Sequence, residues 1–144
     1  MSNIFKPTVE EALLVMKSKD LGQIKVFIVE DDQMISDLVA AKLSLSGCIP
    51  YSTTNGAEAI AMAEIYTPDI IILDLMLPGM TGEEILTALK SREDLKSIPV
   101  VIFSNKSEES IKEKVMKLGA ARYYVKAATD LNVFVSELKL LVNK

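Results

Sequence analysis

Residues 68–82 read Pro68-Asp69-Ile70-Ile71-Ile72-Leu73-Asp74-Leu75-Met76-Leu77-Pro78-Gly79-Met80-Thr81-Gly82. Pro68-Asp69 is a turn dipeptide, and Ile70 to Leu73 follow without a polar break. A short, continuous, β-branched run of this kind predicts a strand buried on both faces, as in a parallel sheet covered by helices. Asp74 stands where that strand should end, and Pro78-Gly79 and Gly82 break the chain beyond it. Ligands of open α/β sheets bind beyond the carboxyl ends of the strands. A helix-capping aspartate lies immediately before its helix, whereas Leu75 to Thr81 separate Asp74 from the next one. Asp74 is therefore placed for chemistry rather than for capping.

Outward from this strand the pattern alternates. Strands are predicted over Ile24–Val29, Cys48–Ser52, Asp69–Leu73, Pro99–Phe103 and Arg122–Val125. Helices are predicted from about Met34 to Ser46, from Asn55-Gly56 to near Tyr66, over Gly82–Lys90, over Glu108–Leu118, and from near Asp130 onward. Alternating strands and helices imply right-handed crossovers and a parallel sheet. The fold class is α/β, with a doubly wound sheet of five parallel strands.

Ahead of this pattern, Thr8-Val9-Glu10-Glu11 is a capping-box sequence. Val9, Ala12, Leu13 and Met16 repeat at helical spacing, and Gly22 stops the helix. The expected division is an amphipathic helical extension at 1–22 and one domain at 23–144. The extension folds onto its own domain, frays, or meets a partner.

Composition narrows the chemistry. With 49% apolar residues and a mean hydropathy of +0.27, the 144 residues suffice for a buried core. No apolar run reaches the length of a membrane span, and the amino-terminal segment has no signal-peptide core. The single cysteine, Cys48, cannot pair internally, which points to a reducing cytoplasm. The chain has no histidine, so imidazole metal sites and serine–histidine nucleophiles are excluded. A net charge of -4 argues against direct nucleic-acid binding.

The strand ends carry the chemistry. They present Glu30 and Asp31, then Asp74, Ser104 and Lys126, all on one edge of a parallel sheet. Two carboxylates about 4 Å apart repel by roughly 4 kcal/mol at an effective dielectric of about 20. Such a cluster must hold protons or a cation. An all-oxygen donor set suits a hard ion, Mg²⁺ before Ca²⁺. A metal-bound carboxylate beside a hydroxyl and an ammonium is equipped to receive a phosphoryl group.

With these residues in this order, the chain from Gln23 onward resembles the CheY-like receiver domain of bacterial two-component response regulators. Val29-Glu30-Asp31-Asp32 is similar to the family's acidic pair, and Leu73 to Gly82 to its phosphoacceptor motif. The resemblance implies a flavodoxin-like strand order of 2-1-3-4-5 and Asp74 as phosphoacceptor. It implies Mg²⁺ on Glu30, Asp31, Asp74 and the Met76 carbonyl. Ser104 takes the place of the switch hydroxyl, Tyr123 of the switch aromatic and Lys126 of the family's lysine. Two positions depart from the pattern. Asn105 follows the hydroxyl where a small residue is usual, its amide still facing the phosphoryl group, and Ala127 follows the lysine where proline is usual. Without proline, a trans Lys126–Ala127 bond is expected, with the following loop rearranged so that Lys126 still reaches the Asp74 carboxylate, since a cis bond to another residue costs about 2.5–4 kcal/mol.

The implied function is a stand-alone, Mg²⁺-dependent response regulator. It takes phosphate from a sensor histidine kinase or histidine phosphotransfer protein. It then signals to a downstream protein target through the face formed by the fourth helix, fifth strand and fifth helix, with dimerisation left open. It is no enzyme beyond self-phosphotransfer and autodephosphorylation. The rival reading is a phosphorylation-independent receiver acting as an interaction module. A haloacid-dehalogenase-type phosphatase would want a second acid where Met76 stands, and a flavin carrier would not place Glu30-Asp31-Asp32 in its phosphate loop.

Overall fold

The computed structural model describes residues 8–10 and 22–142. Its elements are β1 (Lys25–Val29), α1 (Gln33–Leu45), β2 (Ile49–Thr53), α2 (Gly56–Tyr66), β3 (Ile70–Leu73), α3 (Gly82–Ser91), β4 (Val100–Ser104), α4 (Glu109–Lys117), β5 (Arg122–Val125) and α5 (Leu131–Val142). The strands pair in parallel in the order β2-β1-β3-β4-β5. Val9 and Glu10 are helical and exposed. The rest of the expected amino-terminal helix lies outside the described residues.

Strand side chains alternate between faces, and two cores follow from that alternation. Phe27, Val29, Ile71, Leu73 and Ile102 pack with Met62 of α2, Leu86 of α3 and Val115 of α4. Val26, Ile28, Ile72, Val101 and Phe103 pack with Val39 and Leu43 of α1 and Phe134 of α5. Every residue of β1, β3 and β4 is buried. This is why Val26–Val29, Ile70–Leu73 and Val100–Phe103 read as unbroken apolar runs. Three helices thus cover one face and two the other.

Observed boundaries lie within a residue or so of the expected ones. The end of β4 shifts outward, so that Ser104 belongs to the strand. Pro99 precedes β4, and its carbonyl accepts from Ile71 N at 3.0 Å. Asp69 precedes β3, and its carboxylate accepts from Lys25 N at 2.8 Å.

The loop from Asp74 to α3 is tightly held. Gly79 turns it with φ +81, a backbone angle that favours glycine. Thr81 caps α3 in a reciprocal capping box with Glu84. A Cβ at Gly82 would collide with the Asp74 carbonyl and lie 2.6 Å from Leu75 Cα. Gly82→Ala should therefore cost about 2–3 kcal/mol by forcing backbone apart. Urea unfolding would show this as a lowered midpoint, and an unchanged midpoint would contradict the tight docking.

Candidate functional site

Parallel register brings the site together. Val29 pairs with Leu73, so the next residues, Glu30 and Asp74, stand side by side. Leu73 pairs with Ile102, and Ser104 with Val125, immediately before Lys126. Glu30 and Asp74 are 2% and 4% exposed, Ser104 is fully buried, and Asp31 is exposed. One carboxylate oxygen from each of Glu30, Asp31 and Asp74 lies within 4.8 Å of the others. Lys126 Nζ sits between two of them, 2.6 Å from Glu30 Oε1 and 3.1 Å from Asp74 Oδ2.

The backbone completes this arrangement. Asp74 Oδ1 accepts from Met76 N at 3.2 Å, and Glu30 Oε2 accepts from Asp32 N at 3.2 Å. Asp32 is the N-cap of α1, its Oδ1 accepting from Met34 N and Ile35 N. The acidic run Glu30-Asp31-Asp32 therefore divides into a buried and an exposed cluster member and one cap. Asp74 caps nothing, since Thr81 holds that role at α3.

The expected repulsion among the carboxylates has a cation within the chain itself. Burial pushes the Glu30 carboxyl up to about 7, against the hydrogen bond from Lys126 and with the help of the Asp74 charge. Burial pulls the Lys126 ammonium down, yet the hydrogen bonds and charges of Glu30 and Asp74 outweigh it and hold the group above its ordinary range. Fully ionised, three carboxylates and one ammonium leave a charge of minus two. The donors are all oxygens and open onto a cleft of about 640 Å³, a fit for a hard divalent cation.

The Lys126–Ala127 bond is trans, since the described residues contain no cis peptide. Residues Lys126–Ala128 form one 3₁₀ turn, anchored by Thr129 Oγ1 donating to Val125 O at 2.6 Å. Lys126 reaches the acidic cluster from that turn.

Ser104 and Tyr123 do not line the cleft. Their side chains are hydrogen-bonded to each other, and both also meet Lys106, whose amide donates to Ser104 Oγ at 3.2 Å and whose carbonyl accepts from Tyr123 OH at 2.6 Å. Tyr123 is half-buried, and burial pushes its hydroxyl up. Asn105 and Met76 are exposed on the cleft wall. Lys106 also lines the cleft, and sequence reasoning does not pick it out. Its one signal is its place in the loop leaving a strand end.

The family model of the response regulator receiver domain matches residues 26–137. The chain belongs to this family. The phosphate regulon transcriptional regulatory protein PhoB of Rhizobium meliloti is 32% identical over 102 residues, 71% of this chain and 45% of that protein. The polar-differentiation response regulator DivK of Brucella anthropi is 29% identical over 114 residues, 79% of this chain and 92% of that one. Among solved structures, the phosphorylated cyanobacterial phytochrome response regulator RcpA is 29% identical with a TM-score of 0.75, covering 85% of this chain and 95% of its own. The receiver spans about half the length of PhoB and nearly all of DivK. Among the described residues, no helix is long and apolar enough to cross a membrane.

Proposed function

We propose that this receiver works by phosphorylation, with Asp74 taking a phosphoryl group from a phosphohistidine on a sensor histidine kinase or histidine phosphotransfer protein. The observation that carries this reading is the Asp74 carboxylate, 4% exposed, at the cleft with Glu30, Asp31 and Lys126 around it. These 144 residues contain no histidine, so the donor histidine lies elsewhere. Glu30, Asp31, Asp74 and the Met76 carbonyl would hold Mg²⁺, which when bound neutralises the oxygens of the transferring group.

The chain's own residues supply the remaining steps. An Asp74 oxygen bonds to phosphorus as the phosphorus–nitrogen bond breaks, and the imidazole leaves with the electron pair. Lys126 moves its hydrogen bond from the Asp74 carboxylate to the phosphoryl group. Ser104, which accepts from Lys106 N, keeps its own proton to donate to that group. Because Lys106 also holds Tyr123, a shift of Ser104 reaches the α4–β5–α5 face, where a downstream protein would read it. Mg²⁺ and the phosphoryl contacts together must supply roughly 5.5 kcal/mol to carry a switch from 1:99 to 99:1. The chemistry is confined to self-phosphotransfer and autodephosphorylation, and the reducing cytoplasm suits the buried thiol of Cys48. On this reading residues 23–144 form the receiver, and residues 1–22 are an extension ahead of it.

Incubation with acetyl phosphate and Mg²⁺, followed by intact mass measurement, should show one added phosphoryl group, and chelation should suppress it. A protein that stays unlabelled at saturating donor would favour the phosphorylation-independent reading. Asp31→Asn removes the exposed member of the acidic cluster. It should weaken Mg²⁺ binding about tenfold or more while raising the metal-free melting temperature, because like-charge repulsion falls. Unaltered Mg²⁺ affinity by calorimetry would remove Asp31 from the ligand set.

A further inference from the structure

Two lysines line the cleft, and they differ in what they face. Lys126 is matched by Glu30 and Asp74. Lys106 forms no ion pair among the described residues, although it is half-buried at the cleft wall. Its backbone is held on both sides of the Cα, its amide by Ser104 Oγ at 3.2 Å and its carbonyl by Tyr123 OH at 2.6 Å. The stem therefore leaves from a held point, and only the flexible chain of methylenes has to order when the ammonium meets an anion.

An incoming phosphoryl group carries about −1.5 to −2 charges and must approach an acceptor that is itself negative. Beside Mg²⁺, a lysine not already matched would add to the attraction at that stage, because the Lys126 charge is compensated until its bond to Asp74 loosens. We propose that Lys106 is a further donor-binding residue, which captures the terminal phosphoryl oxygens of the donor before transfer. This rests on the reading of Asp74 as the acceptor. With an acyl phosphate as donor, the Lys106 ammonium hydrogen-bonds two non-bridging oxygens. The Asp74 oxygen then bonds to phosphorus as the bond to the acyl oxygen breaks, and the carboxylate leaves with the electron pair. Lys106 neither gains nor loses a proton. The two cations thus act in sequence, Lys106 before the bond forms and Lys126 after it.

The test is the initial rate of labelling by acetyl phosphate with Mg²⁺, measured against donor concentration at low and high salt. It uses the unmodified protein, Lys106→Ala and Lys106→Arg. Lys106→Ala should raise the half-saturating donor concentration about 5–10-fold and leave the maximal rate within about twofold. Its rate should also respond less to salt, since one steering charge is gone. Lys106→Arg, which keeps the charge, should restore most of the affinity and the salt response. Labelling of the unmodified protein with an unchanged half-saturating concentration in Lys106→Ala overturns the assignment of Lys106 alone. Equal losses in the Ala and Arg variants with an unchanged salt response also overturn it, because packing would then account for both. No labelling of the unmodified protein overturns the reading of Asp74, and this one with it.

Discussion

Lys126→Met should destabilise the metal-free protein by about 3–5 kcal/mol, the loss typical of removing one partner from a buried ion pair. The Lys126 side chain is 11% exposed and contacts two carboxylates that are themselves almost inaccessible, Glu30 at 2.6 Å and Asp74 at 3.1 Å. Methionine keeps much of the stem's length and volume, so the apolar contact with Phe103, whose ring centre lies 5.7 Å from Nζ, is retained in part. What disappears is the charge. Two neighbouring buried carboxylates then face each other without an internal cation, and the third, Asp31, adds to their repulsion. Saturating Mg²⁺ should recover a large share of the lost stability, because binding to the folded state alone stabilises it by mass action. Urea unfolding with and without Mg²⁺ measures both effects. An unchanged midpoint in the metal-free variant would mean that the ammonium does not compensate the cluster.

This expectation also marks where sequence reading reached its limit. Three carboxylates converging at strand ends are legible from the pattern of apolar runs, because parallel strands share one carboxyl edge. The strand order and the placement of Glu30, Asp74 and Lys126 follow from the same pattern with the family resemblance, and the structure agrees. How the carboxylates are balanced is legible in part. The reach of Lys126 to Asp74 is expected and observed at 3.1 Å, whereas its shorter contact with Glu30, at 2.6 Å, is not readable from the sequence, which suggests protons or a metal for the cluster. The trans bond at Ala127 was expected from the cost of a cis bond to a residue other than proline, and the 3₁₀ turn at Lys126–Ala128 is how the chain accommodates it.

Other residues were hidden for specific reasons. Asp32 reads as one more acid of the run, yet its carboxylate caps α1, the usual place of an aspartate immediately before a helix. Lys106 joins the account through its backbone, hydrogen-bonded to Ser104 and Tyr123, and main-chain contacts between loop and strand leave no pattern in side-chain chemistry. β4 begins at Val100 because Pro99 cannot donate to the ladder, and it ends at Ser104, which pairs with Val125 of β5.

The other large effect belongs to Asp74. Asn in its place keeps the shape but offers one oxygen where Asp74 uses two, Oδ1 for Met76 N and Oδ2 for Lys126, so one of these bonds is lost while the fold should survive. The amide oxygen is too weak a nucleophile to form a stable bond to phosphorus, and the site loses one of its three carboxylates. Labelling by acetyl phosphate should therefore fall from one phosphoryl group per chain to none, and Mg²⁺ affinity should fall with it. Asp74→Asn should also be no less stable than the unmodified protein without metal, because a charge has left a crowded cluster. The most direct measurement is the intact mass of both proteins after parallel incubation with acetyl phosphate and Mg²⁺. The account predicts one added phosphoryl group on the unmodified chain and none on Asp74→Asn. Equal labelling of the two would contradict it and place the phosphoryl group on another residue.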